Sequence, residues 1–536
     1  MKLTLEQAIG QKIMIGFPGQ MPSPELVALL KQQHLGGLTL FRALNVESPA
    51  QVRRLTAALQ QIAATAGQPP LLIGADQEGG TLLALAETTP FPGNMALGAT
   101  GSPELARQTG YAIGQELAAM GVNVNYAPVC DVLINPQNPV VGTRAFGEDP
   151  AAVARLAAAM VTGLQAAGVA ATAKHFPGHG DTTADTHHGA VMSFHDEAHV
   201  RQVDLPPFAA AVQAGARLVM TAHVSVPALT GGVEVPATLS PAILRGLLRG
   251  DLGFQGVILS DALNMHAIQQ GPGLAIDAIA AAMAGVDLLM LTEIGGDQQW
   301  IYAALLQAAQ RGLLPMEEVY NSVERVLALK SWVGAQIQPS LEVIQSPEHT
   351  ALAFEVAAQA LTLVRDTSQQ LPLHPPAAAR LLAIVPQPED LTPADTSSYV
   401  TPALARALRR YHPAVDELII PMEPADADVA ALSEQAARYD LVVIGTINAT
   451  LHTGQAALVN QLLARGVPTV AVALRLPYDL TAYPQAPTYL CTYSILECAM
   501  DALAQALWGQ RPCSGGLPVS LGDMYPLGHG RGARAS

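Results

Sequence analysis

The densest chemistry in the chain lies between Lys174 and Gly189, which reads Lys-His-Phe-Pro-Gly-His-Gly-Asp-Thr-Thr-Ala-Asp-Thr-His-His-Gly. Four histidines, two aspartates, a lysine and three glycines share this stretch, and the apolar run from Gly168 to Ala173 leads into it. The pattern predicts a strand running into a glycine-hinged polar loop. A packed core has no use for so many titratable groups, so the loop is expected to carry chemistry. Asp185 and His187 stand two residues apart. A carboxylate so close can orient an imidazole and favour its protonated form, giving an acid that cycles near neutral pH.

A second carboxylate stands at the end of Gly253-Phe-Gln-Gly-Val-Ile-Leu-Ser-Asp261, directly after an apolar run and flanked by Ser260 and Asn264. In that position it is a metal ligand, a base or a nucleophile. The motif has no second carboxylate, so two-metal chemistry lacks support. Retaining glycoside hydrolysis needs a nucleophile on one face of a sugar and an acid/base on the other. Asp261 fits the first role and His187 held by Asp185 the second.

Plainer readings compete. His175, His179, His187 and His188 could hold a metal with Asp181 or Asp185, but they lack the i,i+4 spacing of a helical site, and no metal or other cofactor is expected. His179 reads as a structural loop residue and His188 as exposed. His223 reads equally as a subsite residue or a satisfied core histidine. Asp131 and Asp287 read as hydrogen-bonding loop residues, and Tyr126 as core or wall.

These residues need a scaffold that brings strand ends together. Apolar runs at Lys12–Phe17, Gly36–Phe41, Leu71–Asp76, Val122–Pro128, Ala171–Phe176, Leu218–His223, Gly256–Asp261 and Leu288–Leu291 alternate with helical patterns. Strands apolar almost throughout suit a parallel sheet covered by helices, and eight such units predict a TIM (β/α)8 barrel. Asp76, Lys174, His175, His223 and Asp261 all fall at the carboxyl ends of their runs, where a barrel builds its active site. A polar stretch at 336–350 reads as a linker. Beyond it, a helix over Ala351–Leu363 leads to strands near 381–386, 417–421, 441–445, 469–474 and 488–494. The chain is thus expected to be α/β, with a barrel domain over 1–335 and a smaller α/β sandwich domain over 351–536. The latter ends in a loose Gly/His/Arg tail.

Composition narrows the class. At 536 residues the chain exceeds one ordinary core. A formal charge of −16, with no Lys/Arg block, argues against a nucleic-acid surface. The cysteines Cys130, Cys491, Cys498 and Cys513 show no CxxC pair and read as reduced thiols. No apolar run approaches a membrane span, and Glu6 interrupts any signal-like stretch, so a cytoplasmic location without membrane attachment is expected.

Several blocks together carry a family resemblance. Gly74-Ala-Asp-Gln-Glu-Gly-Gly80, Ala127-Pro-Val-Cys-Asp131, Arg144-Ala-Phe-Gly-Glu-Asp-Pro150, Lys174–His187, Pro236-Ala-Thr-Leu-Ser240 and Gly256–Asp261 resemble, in order, those of glycoside hydrolase family 3 β-N-acetylglucosaminidases. The resemblance covers most of residues 1–335. It implies Asp261 as nucleophile, His187 as general acid/base and Asp185 as its partner. It also implies that Asp76, Arg144, Lys174 and His175 hold the hydroxyls of the sugar being cleaved. The substrate would be a carbohydrate ending in β-linked N-acetylglucosamine, such as a muropeptide in cell-wall recycling or a chitin fragment. The second domain resembles one that some members carry, which in glucosidase-type relatives can supply a Glu acid/base that His187 makes unnecessary.

One position departs. The family usually has Arg after Asp-Gln-Glu-Gly-Gly, and this chain has Thr81. Other readings of the same fold are a phosphorylase, in which phosphate attacks the glycosyl intermediate, and a family 3 β-glucosidase or xylosidase. A silent sugar-binding protein is the reading outside enzymes.

Overall fold

The computed structural model describes residues 3–182, 185–186, 189, 191–268 and 273–531. Eight parallel strands close into a barrel: β1 (Ile13–Gly16), β2 (Gly37–Thr39), β3 (Leu72–Ala75), β4 (Val124–Asn125), β5 (Ala170–Phe176), β6 (Leu218–Thr221), β7 (Val257–Ala262) and β8 (Leu288–Leu291). Each pairs with its neighbours in chain order, and β8 pairs with β1 to close the ring. The expected barrel is present. Several predicted strands run a few residues too long, as at Asp76, which leaves the ladder and lines the mouth.

The helices start where the sequence supplies a cap. Ser23, Ser48, Ser102 and Asp149 each precede a proline, and each side chain accepts a hydrogen bond from a backbone N–H of the first turn. Proline at the first helical position costs no hydrogen bond, and a Ser or Asp cap contributes about 1 kcal/mol. At the amino-terminal end of the barrel, Val326, Leu329 and Val333 of the helix Met316–Gly334 pack against Met14, Leu72, Val124, Ala170, Leu218, Val257 and Leu288. That end is plugged, which leaves the carboxyl ends of the strands as the open mouth.

The chain between the two domains is fastened rather than trailing. Arg53 donates to Pro339 O, Gln338 donates to Ala119 O, and His349 Nδ1 lies 2.9 Å from Glu116. The next helix, Pro347–Ala360, begins earlier than predicted because Ser346 caps it. It also ends earlier, and Thr362–Asp366 forms β9, a strand that the apolar run following the helix concealed.

The second domain is a six-stranded mixed sheet, with β10 (Leu381–Pro386), β11 (Val415–Ile420), β12 (Leu441–Thr446), β13 (Thr469–Ala473) and β14 (Thr488–Cys491). Its order is β9-β14-β13-β12-β10-β11, with β9 alone antiparallel. One apolar cluster joins the domains: Met95, Ala99, Val129 and Leu133 of the first pack with Leu480, Tyr483, Tyr489 and Leu517 of the second. Gly516 N donates to Ala99 O, and Glu148 N donates to Pro518 O. The expected loose tail is held at least to Arg531: Leu517 N donates to His529 O, and His529 Nε2 lies 2.8 Å from Val364 O. Among the described residues no helix is long and apolar enough to cross a membrane.

Candidate active site

At the barrel mouth Asp76, Arg144, Lys174, His175 and Asp261 line one cavity of about 340 Å³. That volume falls in the range of small-ligand sites, roughly 300–1,000 Å³. Phe41, Arg42 and Thr186 join them from the barrel, and Asp390, Pro393 and Tyr399 from the second domain. Five of the seven sequence-predicted site residues therefore share a wall. Asp185 is buried one residue before Thr186, and His187 and His188 lie outside the described residues.

The cavity floor is organised by a residue the sequence reading passed over. Glu78 is buried, and its carboxylate takes both Arg144 Nε and Nη2, at 2.9 and 2.8 Å, together with Lys174 Nζ at 2.5 Å. Lys174 also reaches Asp76 Oδ1 at 2.6 Å. Burial works against the charge of Glu78, but Arg144 and Lys174 outweigh it and hold the carboxyl down at about 2. The signal was available: Asp76 and Glu78 stand two apart in an extended segment, which puts both on one face.

His175 is fixed from behind. Its Nδ1 lies 2.7 Å from Asp131 Oδ2, and its backbone N–H donates to Asp131 Oδ1. Donation of the Nδ1 proton leaves Nε2 for a substrate hydroxyl. Burial raises the Asp131 carboxyl, but His175 prevails and leaves it below the ordinary value. Asp287 sits elsewhere, between Arg249 and Arg325. Tyr126 is fully buried with its hydroxyl 2.7 Å from Thr39 Oγ1. His223 is buried, with Nδ1 2.8 Å from Thr238 Oγ1 and Nε2 3.0 Å from Ala262 O. It braces the backbone next to Asp261 and does not line the cavity.

Asp261 emerges from β7 half-buried, with Oδ1 accepting the N–H of Ala262 at 2.8 Å. Ser260 and Asn264 stitch this end of β7 to its neighbour: Ser260 Oγ accepts from Met290 N, and Asn264 bonds Thr292 through both side-chain ends. Thr186 is tied to the segment that follows Asp261, since Ala267 N donates to Thr186 O at 3.2 Å. Asn138 donates to the carbonyls of His179 and Thr182, and Asp181 is paired with His195. Gly178, at φ 136°, packs against Asp204, whose side chain a Cβ there would meet at 2.9 Å. His179 Nδ1 lies 2.6 Å from Thr182 Oγ1, burial lowers its pKa to about 4, and the residue lines the cavity beside His175. Among the described residues no group of three His, Cys, Asp or Glu side chains is placed to hold a metal ion.

A barrel of this kind with carboxylates, a lysine and a histidine converging on an enclosed mouth is the arrangement of a carbohydrate-active enzyme. Residues 4–329 match the family model described as the glycosyl hydrolase family 3 N terminal domain. The chain belongs to glycosyl hydrolase family 3. It is similar to the solved β-N-acetylglucosaminidase of Paenibacillus sp. str. FPU-7, with 38% identity and a TM-score of 0.92 over 97% of this chain and 99% of that one. It is 32% identical to beta-hexosaminidase A of Pseudoalteromonas piscicida across 97% of both chains. It is also 31% identical to a beta-N-acetylglucosaminidase/beta-glucosidase of Cellulomonas fimi, over 92% of this chain and 90% of that one. It is thus a β-N-acetylglucosaminidase-like glycoside hydrolase.

Two predictions follow from the floor and the loop. Glu78→Gln leaves buried Arg144 without its carboxylate and Lys174 with Asp76 alone, which is expected to cost roughly 3–5 kcal/mol in denaturant unfolding and to raise KM. Unchanged stability and KM would remove Glu78 as organiser. The second concerns pH. A neutral His179 folded at about 4 against 6.5 unfolded makes stability fall as pH drops from 6.5 toward 4. Burial, with Asp131 and Asp181 nearby, raises Asp204 from 3.8 to about 7, so its contribution is full below 3.8 and is lost as pH rises toward 7. Thermal melts between pH 4 and 6.5 should therefore change in opposite senses: the rise of stability with pH weakens in His179→Gln and strengthens in Asp204→Asn.

Proposed function

We propose that the chain is a retaining exo-glycosidase that removes terminal β-linked N-acetylglucosamine. In this reading Asp261 attacks the anomeric carbon as its bond to the leaving oxygen breaks, and His187 donates the proton that oxygen needs. Water then attacks the glycosyl–Asp261 ester and returns its proton to His187, which Asp185 orients. Asp76, Arg144, Lys174 and His175 hold the hydroxyls of the sugar by charge-assisted hydrogen bonds. The observation that carries the reading is the single cavity in which Asp261 faces these four residues. Thr186, which lies between Asp185 and His187 in sequence, is on its wall, and this supports roles for both neighbours. A muropeptide or a chitin fragment is the proposed natural substrate, acted on in the cytoplasm.

A second reading, β-glucosidase activity in the same cavity, is favoured by the name of the Cellulomonas fimi relative. Release of nitrophenol from the aryl β-N-acetylglucosaminide and β-glucoside, with and without phosphate, separates the readings. Preference for the N-acetyl substrate is expected, with no acceleration by phosphate. A sugar-1-phosphate product would instead make the enzyme a phosphorylase.

The roles make their own prediction. Asp261→Ala should abolish turnover of both substrates. His187→Ala should lose about 10²–10⁴-fold in kcat/KM, which reports the first step, on a poor leaving group and far less on dinitrophenol, which departs without a proton. Equal losses on both leaving groups would rule out His187 as the acid.

A further inference from the structure

Three long-chain cations line the described cavity wall: Arg42, Arg144 and Lys174. Two are bound to buried carboxylates. Arg144 is held by Glu78, and Lys174 by Asp76 and Glu78. Arg42 is held differently. Its Nη1 donates to a neutral acceptor, Leu83 O, at 3.0 Å, and its guanidinium lies 4.3 Å above the ring of Tyr399. Asp390 of the second domain adds attraction at longer range. A planar fork held by one carbonyl and one ring face keeps donors available to a ligand.

The position of Arg42 says which part of a ligand it meets. It follows β2, and β2 is the ring neighbour of β3, which ends at Asp76. Asp261 leaves β7, three strands from β2 the other way around the ring. A sugar with its anomeric carbon over Asp261 therefore turns its far end toward Asp76 and Arg42. The two side chains are complementary there: a hydroxyl can donate to Asp76 while its neighbour accepts from Arg42.

The departure at position 81 fits this arrangement. Thr81 is buried, and its carbonyl accepts the N–H of Thr396 at 2.8 Å and the Thr396 hydroxyl at 3.1 Å. Thr396 Oγ1 in turn accepts from Leu83 N at 3.0 Å. The segment after Gly80 is here clamped by the second domain, and Arg42 bonds the same segment at Leu83 O.

We propose that Arg42 is a specificity-determining residue that binds a hydroxyl of the terminal sugar at the end of the cavity remote from Asp261, and that Tyr399 of the second domain positions it. The proposal rests on the reading of the cavity as a sugar site. It makes the second domain part of substrate recognition through Tyr399 and Thr396.

The test is steady-state kinetics of the full chain on the aryl N-acetylglucosaminide and on its 3-deoxy and 4-deoxy analogues. Melting temperatures and calorimetric titration with N-acetylglucosamine and glucose accompany it. Arg42→Ala is expected to raise KM by about 10- to 100-fold, the loss that follows removal of a charge-assisted hydrogen bond, with an unchanged melting temperature. Arg42→Lys keeps the charge without the fork and should recover part of the loss. Tyr399→Phe should match the wild type, and Tyr399→Ala should raise KM less than Arg42→Ala. One deoxy substrate should be poor for the wild type yet no worse than its parent for Arg42→Ala, a pattern that a purely structural residue does not give. A KM within twofold of wild type in Arg42→Ala, or an undiminished deoxy penalty in that variant, overturns the proposal. If the wild type binds glucose and not N-acetylglucosamine, the functional reading fails, and the Arg42 comparison is then decided on the glucoside series.

Discussion

The site depends on one buried carboxylate. Glu78 is the acceptor shared by Arg144 and Lys174, and without it buried Arg144 would lose its carboxylate and Lys174 would keep only Asp76. Desolvating three charges is costly, and the attraction offsets that cost only when the geometry is close and the donors are satisfied. Here Arg144 turns the Nε–Nη2 edge of its fork to Glu78 and gives Nη1 to Val140 O. A site so arranged is rigid before substrate arrives. Its polar groups need no reordering to meet the sugar, and the conformational cost was met during folding.

Around that floor the two domains divide the work. The barrel provides Asp261 and the polar floor, because the ends of parallel strands converge on one mouth. The second domain contributes the loop after β10, which carries Asp390, Pro393 and Tyr399 to the wall. That loop is itself braced: Arg475 Nη2 bonds Asp395 at 2.6 Å and Ser397 Oγ at 2.8 Å, in a buried pair. Thr396, between those two anchors, meets the barrel at Thr81 and Leu83. A chain of hydrogen bonds thus runs from the second domain to the strand that faces Glu78.

Much of this was legible in the sequence, for definite reasons. Strands buried on both faces are written as unbroken apolar runs, so the polar residue that ends one, such as Asp76, Lys174 or Asp261, stands out. Glu78 did not, because it sits inside a motif where Asp76 drew the chemical reading and because a buried carboxylate is identified by partners distant in sequence. Arg42 and Tyr399 were invisible for the same reason: they meet across the domain boundary, and no local periodicity encodes a stacking contact between residues hundreds of positions apart. Strand β9 was lost to the helix before it, since Leu361-Thr-Leu-Val continues the apolar character of that helix with no Gly or Pro to mark the change.

The apolar cluster shared by Met95, Val129 and Leu133 with Tyr489 and Leu517 has a consequence for biogenesis. The mouth of the barrel rests on residues made hundreds of positions after it, since Gly516 and Pro518 bond Ala99 and Glu148. A nascent chain can close the eight-stranded ring long before it can cover that cluster. During synthesis the half-built mouth would present exposed apolar surface, the kind of surface on which chaperones act. Completion of the site is thereby tied to synthesis of the second domain.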